Sequence, residues 1–274
     1  MFTLGIDIGA SKVAAALVRN TKIVRQVRIS YRHKTPSGIN AAIFTAAAST
    51  IGNSKIAGIG FGVPCALGKN NEVLACANIR ALRSDKIAKK LRGIYHVPVL
   101  IENDVKAAAL AELKYGIGRK SKNFVFLAFG TGIGGAIVIN GKLYKGTLGW
   151  AGEFGHTLIQ VKNLKLKAKS FKDWEEISTK RFLKSEKGAI DIAEFAQAVG
   201  LGLLNITNAL APECIIIGGG LSSLWNKKFE AKVVSIMRRL RISSKLPLPK
   251  VMRSRFGENA GIIGAALLPS IAKR

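Results

Sequence analysis

Cysteine is scarce in this chain: three residues in 274, Cys65, Cys76 and Cys214, with no C-x-x-C pair among them. An odd count without paired spacing argues against a disulfide framework or a structural zinc site, and for a reducing cytoplasm. Acidic residues are few as well. Sixteen Asp and Glu face 43 Lys and Arg, a net charge of +27. That imbalance favours anionic partners such as nucleotides, phosphosugars, nucleic acid or an acidic membrane face. The basic residues are scattered, however. The densest stretch, "VKNLKLKAKSFK" from Val161 to Lys172, alternates lysine with apolar residues, so a solvated lysine-rich surface is the plainer reading. No uncharged apolar stretch reaches the length of a membrane span. The opening "MFTLGIDIGASK" lacks a basic leader, and Asp7 interrupts its apolar run, so it does not read as a signal peptide.

What is present is a globular chain of 48% apolar residues, long enough for one large or two modest domains. "FTLGIDIG" reads as a buried strand, followed across short polar turns by "KVAAALV" and "KIVRQVRISYR" as antiparallel partners. "GINAAIFTAAASTIGNS" reads as a helix ending at Gly52-Asn53, "KIAGIGFGVP" as a strand stopped by Pro64, and "SDKIAKKLRGIYH" as a helix. "VPVLIEND" is a strand and "VKAAALAELKYG" a helix ending at Gly116. A second series begins with "KNFVFLAFG". It contains the strand "GGAIVING" and the hairpin dipeptide Asn140-Gly141. A helix-like "AIDIAEFAQAVGLGLLNITNALA", the strand "ECIIIGGGLS" and a closing helix "NAGIIGAALLPSIAKR" complete it, with "KLPLPK" (Lys245 to Lys250) as a loop.

"FLAFGTGIGGAIVIN" contains G-x-G-x-x-G at Gly130, Gly132 and Gly135. A dinucleotide-binding turn needs a helix after its glycines, whose N-terminus holds the pyrophosphate. Here the glycines lead into a strand and a hairpin, which argues against that reading. The segment instead shares its plan with "LGIDIGASKVAAALV": apolar strand, glycine-rich turn with a small hydroxyl residue, apolar strand. This weak internal repeat predicts two related domains, each offering a turn to a common cleft.

Each motif carries a chemical and a bland reading. In "DIGASK", Asp7 sits near a strand end, Gly9 permits close backbone approach, and Ser11 and Lys12 supply donors. Such a turn can form an anion-binding nest, with Asp7 holding a hydrated Mg²⁺; an ordinary hairpin is the alternative. The second turn spends four glycines in six residues, and Thr131 offers a hydroxyl to a phosphate; a flexible turn is the alternative. In "LIENDVKAAALAE", Asn103 and Asp104 open a helix beside Glu102. Plain N-capping explains one of them. An ionised Asp at the positive end of the helix dipole also suits a base that takes a hydroxyl proton. Glu153 and His156 in "GWAGEFGH" can hold vicinal sugar hydroxyls, and two such groups alone make a poor metal site. The glycines of "IIIGGGLS" let a flat ring lie against backbone, or simply turn a strand into a helix.

Taken in order, "GIDIGASK", "GVP", "IENDVKAAALAE", "FGTGIGGAIVINGKLYKG", "GWAGEFGH", "IIIGGGLS" and "NAGIIGAALL" resemble the ROK family of sugar kinases, within the actin/Hsp70/hexokinase superfamily. The resemblance covers nearly the whole chain. It implies an α/β fold of two actin-like (ribonuclease H-like) ATPase domains with mixed sheets flanking a central cleft. The expected division is residues 1–115 as a small N-terminal domain and 116–257 as a larger one, with a C-terminal helix near 258–274 packing back on the first. It implies ATP and Mg²⁺ dependence and Asp104 as the catalytic base. Asn103, Glu153 and His156 would hold sugar hydroxyls. Gly9, Ser11, Lys12, Gly130, Thr131 and Gly132 would face phosphates, Gly218, Gly219 and Gly220 the adenosine, and Asp7 the metal.

The chain departs from the family pattern in three places. The first turn reads Gly9-Ala10-Ser11-Lys12 where Gly-Gly-Thr-Lys is usual, and Ala10 is strained if that position requires φ > 0. The cysteine cluster that usually follows the Glu-x-Gly-His motif is missing, which predicts no zinc and frees His156 from that role. Cys65 follows Pro64 where a glycine is usual. The sugar-binding glutamate after the cluster corresponds to Glu175, with Glu176 equal by spacing. The expected activity is phosphorylation of a hexose or N-acylhexosamine hydroxyl in the cytoplasm, with no membrane or specific nucleic-acid partner and a homodimer possible. The alternatives are a sugar sensor without turnover, as in the family's repressors, whose DNA-reading module this chain is not expected to carry, and a polyanion-binding protein.

Overall fold

The computed structural model describes residues 1–9, 12–31, 35–69, 71–76, 79, 84–161, 171–176 and 192–271. In chain order the elements are β1 (Phe2–Ile8), β2 (Lys12–Arg19), β3 (Lys22–Ser30), α1 (Pro36–Ile51), β4 (Ile56–Val63), β5 (Ala66–Leu67), β6 (Val73–Ala75), α2 (Ser84–Tyr95), β7 (Val99–Asn103) and α3 (Asp104–Tyr115). There follow β8 (Phe124–Phe129), β9 (Ile133–Ile139), β10 (Lys142–Tyr144), β11 (Leu158–Val161), β12 (Phe171–Asp173), α4 (Ile192–Leu210), β13 (Cys214–Gly218), α5 (Lys227–Leu240), β14 (Lys250–Arg253) and α6 (Ala260–Ile271). The chain divides into two compact units, Met1–Arg119 with Leu143–Ala151 and Asn259–Arg274, and Lys120–Lys142 with Gly152–Glu258. No helix among the described residues is long and apolar enough to cross a membrane.

The first unit is built on a five-stranded mixed sheet in the order β3-β2-β1-β4-β7, with β1, β4 and β7 parallel and β2 antiparallel to both of its neighbours. Successive side chains of a strand point to opposite faces, and "IAGIGFGV" in β4 uses that alternation strictly. Ile59, Phe61 and Val63 join Leu4, Ile6 and Ile8 of β1 in one core, with Ile39, Ile43 and Ala46 of α1 and Leu91 of α2. The glycines take the other face, under α6. A Cβ on Gly60 would run into the carbonyl of Ala265, and one on Gly5 into that of Ile262. The absent side chains therefore let the α6 backbone lie directly on β1 and β4. On α6 itself, Gly264 gives the same close approach to Ala107 of α3.

Local signals start and stop these helices. Thr35 caps α1, its Oγ1 accepting from Gly38 N at 3.2 Å, and Pro36 takes a first-turn position where its missing N–H costs nothing. Gly52, at φ +51, closes the helix by donating to Ala48 O.

The second unit repeats the plan: β10-β9-β8-β13-β14, with β8 and β9 antiparallel and β8, β13 and β14 parallel. The strand pairs β1–β2 and β8–β9, which carry the sequence repeat, hold the same place in the two sheets. Its core joins Val125, Leu127 and Phe129 of β8 to Ile215 and Ile217 of β13, Leu203 of α4, and Phe229, Val233 and Met237 of α5. Asn140 and Gly141 both have positive φ, 53° and 71°, as a two-residue type I′ hairpin requires.

One expectation is corrected. The cysteine count argues against a disulfide, but Cys65 and Cys76 are joined. They flank the small β5–β6 hairpin, whose antiparallel pairing brings their Cα atoms within 4.3 Å. Neither short strand announces itself in the sequence, so the cross-strand geometry that bonds the pair was not legible. Cys214 is free and buried.

Candidate active site

The first unit gathers its candidate residues at the carboxyl edge of three parallel strands, the edge where open α/β sheets bind ligands. Strand register puts Asp7 of β1 opposite Gly62 of β4, and Gly62 and Val63 opposite Glu102 and Asn103 of β7. A Cβ built on Gly62 would lie 3.5 Å from Asp104 Cβ and 3.6 Å from Asp7 Oδ1. One built on Gly261, at the start of α6, would lie 3.6 Å from Asp7 Oδ2 and 3.7 Å from Asp104 O. Two glycines thus border the Asp7 carboxyl on one side and the Cβ and backbone of Asp104 on the other.

Asp7 keeps some solvent exposure, yet protein atoms crowd its carboxyl. Desolvation raises its pKa from 3.8 to about 6, and the charges of Lys12 and Arg28 pull the other way. Asn103 caps α3: its Oδ1 accepts from Val105 N at 3.1 Å and Lys106 N at 3.0 Å, while its Nδ2 donates to Cys65 O at 3.2 Å. Asp104 takes the first helical position, where its Oδ1 accepts from Val105 N at 2.8 Å. The cap is therefore Asn103, which leaves the cap role unneeded as an explanation of Asp104. Glu102 is buried; it accepts from Asn103 N at 3.0 Å and pairs with Lys145 Nζ at 2.5 Å.

The first glycine turn is tighter than its sequence suggests. Gly9 N donates to Lys12 O at 2.9 Å, and Tyr31 Oη donates to Gly9 O. Both backbone groups of Gly9 are thereby engaged inside the turn, so its use to a ligand is close approach. Lys12 is exposed at the start of β2. Ala10 and Ser11 lie outside the described residues.

In the second unit two turns meet at the ends of β8 and β13, where Gly218 pairs with Ala128. Gly130 N donates to Gly132 O at 2.9 Å, and Thr131 is exposed. The three glycines of the later turn have three different surroundings. A Cβ on Gly218 would strike the Phe126 ring in the core. Gly219, at φ +83, passes over the Phe129 backbone, with Phe129 N 2.8 Å from the Cβ position. Only Gly220 faces open space. Gly218 and Gly219 thus serve packing, and Gly220 is the one of the three with room for a ring beside it.

The remaining candidates sit on a short turn. Glu153 precedes the 3₁₀ turn Phe154–His156, and its side chain does not cap it. His156 is exposed, and its Nδ1 lies 3.2 Å from Asp173 Oδ2. Asp173 also accepts from Glu176 N at 2.8 Å. Trp174 is fully buried, edge-on to Phe129 with ring centroids 5.8 Å apart and against Gly202. That anchor separates the two glutamates. Glu176 is exposed, whereas Glu175 turns onto the second glycine turn, where its Oε2 accepts from Ile133 N at 3.0 Å and presses on Gly132. Asp173 and Trp174 were missed from the sequence; the Asp-Trp pair ahead of the two glutamates was the available signal. Residues 162–170, where the missing cysteine cluster would fall, lie outside the described residues. Among the described ones, no three His, Cys, Asp and Glu side chains converge as a metal group.

The family model described as "ROK family" matches residues 3–172 and 165–271. The chain is 27% identical to a glucokinase of Streptomyces coelicolor, with 96% of both chains covered. It is 28% identical to an N-acetyl-D-glucosamine kinase of Mannheimia succiniciproducens, over 96% of this chain and 98% of the relative. Among solved structures, a ROK family glucokinase from Streptomyces griseus in complex with glucose and AMPPNP superimposes with a TM-score of 0.82 at 27% identity, covering 98% of this chain and 99% of that one.

Proposed function

This chain belongs to the ROK family, and from that premise we propose that it is an ATP-dependent sugar kinase that phosphorylates a hydroxyl of a hexose or N-acylhexosamine with Asp104 as general base. The observation that carries the reading is the position of Asp104. It opens α3 beside Asp7, at the carboxyl edge of β1, β4 and β7. The positive end of the helix dipole favours its ionised form. An ionised, fixed carboxylate can take the hydroxyl proton as the sugar oxygen bonds to the γ-phosphorus and the bond to the ADP oxygen breaks.

The sugar is held, in this reading, by Asn103, Glu153, His156 and Glu175. Asn103 brings its second Nδ2–H, since its Oδ1 is spent on the cap. Gly9, Lys12, Gly130, Thr131 and Gly132 face the phosphates, and Gly220 the adenosine, with Gly218 and Gly219 packing the turn beneath it. Mg²⁺ prefers one or two carboxylates together with the phosphates and water, and Asp7, with Asp104 beside it, fits that donor set. When bound, the ion would neutralise phosphate charge.

The test is a coupled ADP-release assay with ATP and Mg²⁺ over a panel of hexoses and N-acylhexosamines. Turnover with at least one of them is expected, and lost on Asp104→Asn. Absence of turnover across the panel would overturn the reading.

A further inference from the structure

Lys106 is 1% exposed, a buried ammonium on α3 two residues after Asp104, set between Val105 and the buried alanines Ala107, Ala108 and Ala109. Its Nζ donates to Gly149 O at 2.6 Å. From the other side of Asp104, buried Glu102 holds Lys145 Nζ at 2.5 Å. Two charge-assisted bonds therefore leave the β7–α3 junction on either side of Asn103 and Asp104, and both end on the turn from Lys145 to Gly149, within the same unit. Within the turn, Ala151 N donates to Lys145 O at 3.0 Å. Leu148 and Trp150 are 63% and 47% exposed, so no apolar anchor seats it. It does abut β5: Gly149, at φ +95, would place a Cβ 2.5 Å from Leu67 O.

Burying an ammonium is a poor way to add stability, because desolvation offsets most of what its bonds return. Its return is geometric: the Lys106 bond fixes the level of Gly149 against the helix that carries Asp104. Asn103, which the reading above places on the sugar, lies between the two ties in the same unit. We propose that Lys106, with the Glu102–Lys145 pair, is a positioning residue for the sugar: the two ties hold the Lys145–Gly149 turn in step with Asn103 and Asp104, and so set sugar affinity without touching the reacting atoms. This rests on the kinase reading above.

The test compares Lys106→Met, Glu102→Gln and Lys145→Met. Lys145 is 39% exposed at its side chain, so its replacement leaves the core intact even if the buried variants fail to fold. Loss of one charge-assisted bond should raise the KM for sugar roughly tenfold, with kcat and the KM for ATP little changed. Acrylamide quenching of Trp150, isolated by comparison with Trp150→Phe, should become stronger in the same variants. An unchanged sugar KM in folded Lys145→Met overturns the proposal, as does a rise in both KM values together. If the wild-type chain turns over no sugar, the kinase reading fails by itself. The quenching still decides the tie, and unchanged Trp150 accessibility in Lys145→Met overturns it.

Discussion

The carboxyl group of Asp7 and the first residue of α3, Asp104, are neighbours across a single glycine: a Cβ on Gly62 would lie within 3.6 Å of both side chains. The two residues are 97 positions apart, and β4 brings them together by pairing with β1 on one side and β7 on the other. The two acids have different surroundings. Asp7 is desolvated and its pKa is raised, whereas Asp104 sits at a helix N-terminus that favours its ionised form.

Asp104→Asn should lower kcat by about 10²–10⁴-fold, the usual contribution of a general base, while calorimetry finds sugar binding within a few-fold of wild type. Phosphorylation retained at the wild-type rate would remove Asp104 from the base role. Sugar binding with no ADP release from the wild-type chain would favour a sensor.

Asp7 carries a signed prediction on stability. Its folded-state pKa of about 6 lies above the ordinary 3.8, so the folded state disfavours the ionised form. The cost of ionising it is absent below pH 3.8, grows as pH rises, and is complete above about 6. The gap corresponds to at most on the order of 3 kcal/mol. Asp7→Asn should therefore be more stable than wild type in urea melts at pH 8, by less at pH 5, and should lose ATP-dependent turnover. A stability difference that does not change between pH 5 and 8 would refute the assignment.

Glu175 and Glu176 separate by one measurement. Glu175→Gln removes the charged acceptor of Ile133 N beside Gly132, and should raise the KM for sugar about tenfold or more. Glu176→Gln, on an exposed side chain, should leave it unchanged. Equal effects in the two variants would cancel the distinction.

The Cys65–Cys76 bond closes a loop across 11 residues, for which chain entropy suggests about 3 kcal/mol of stabilisation. Thiol titration of the unfolded, unreduced protein should find one free thiol, that of Cys214. Reduction should lower the urea midpoint. It should also weaken sugar binding, because Cys65 O accepts from Asn103 Nδ2. Three free thiols in the unreduced protein would show that the bond does not form.

Much of the fold was legible because its signals are short-range. The alternation in "IAGIGFGV", the Asn140-Gly141 turn, Gly52 after α1 and the Asn-Asp pair at the start of α3 each act within a few residues. The small hairpin β5–β6, strands β11, β12 and β14, and helix α5 were not read. For the strands the cause is length: two to four residues carry too little periodicity, and their partners lie elsewhere in the chain. In the site, the turn residues and Asp104 stood out by composition. Asp173, Lys106 and Tyr31 did not, because a lone Asp, Lys or Tyr acquires meaning only from what it meets, here His156, Gly149 and Gly9.

The sequence by itself determined the two strand–turn–strand repeats, the order of the elements and the presence of an acid at the start of an alanine-rich helix. These follow from side-chain periodicity and backbone sterics, which neighbouring residues settle among themselves. Only the tertiary structure decided that Asp7 stands beside Asp104, that Asn103 and not Asp104 caps the helix, and that Glu175 rather than Glu176 turns onto Gly132. It also decided that Cys65 meets Cys76 and that a buried lysine ties Gly149 to α3. Strand register and close packing fix those pairings, and both depend on residues far apart along the chain.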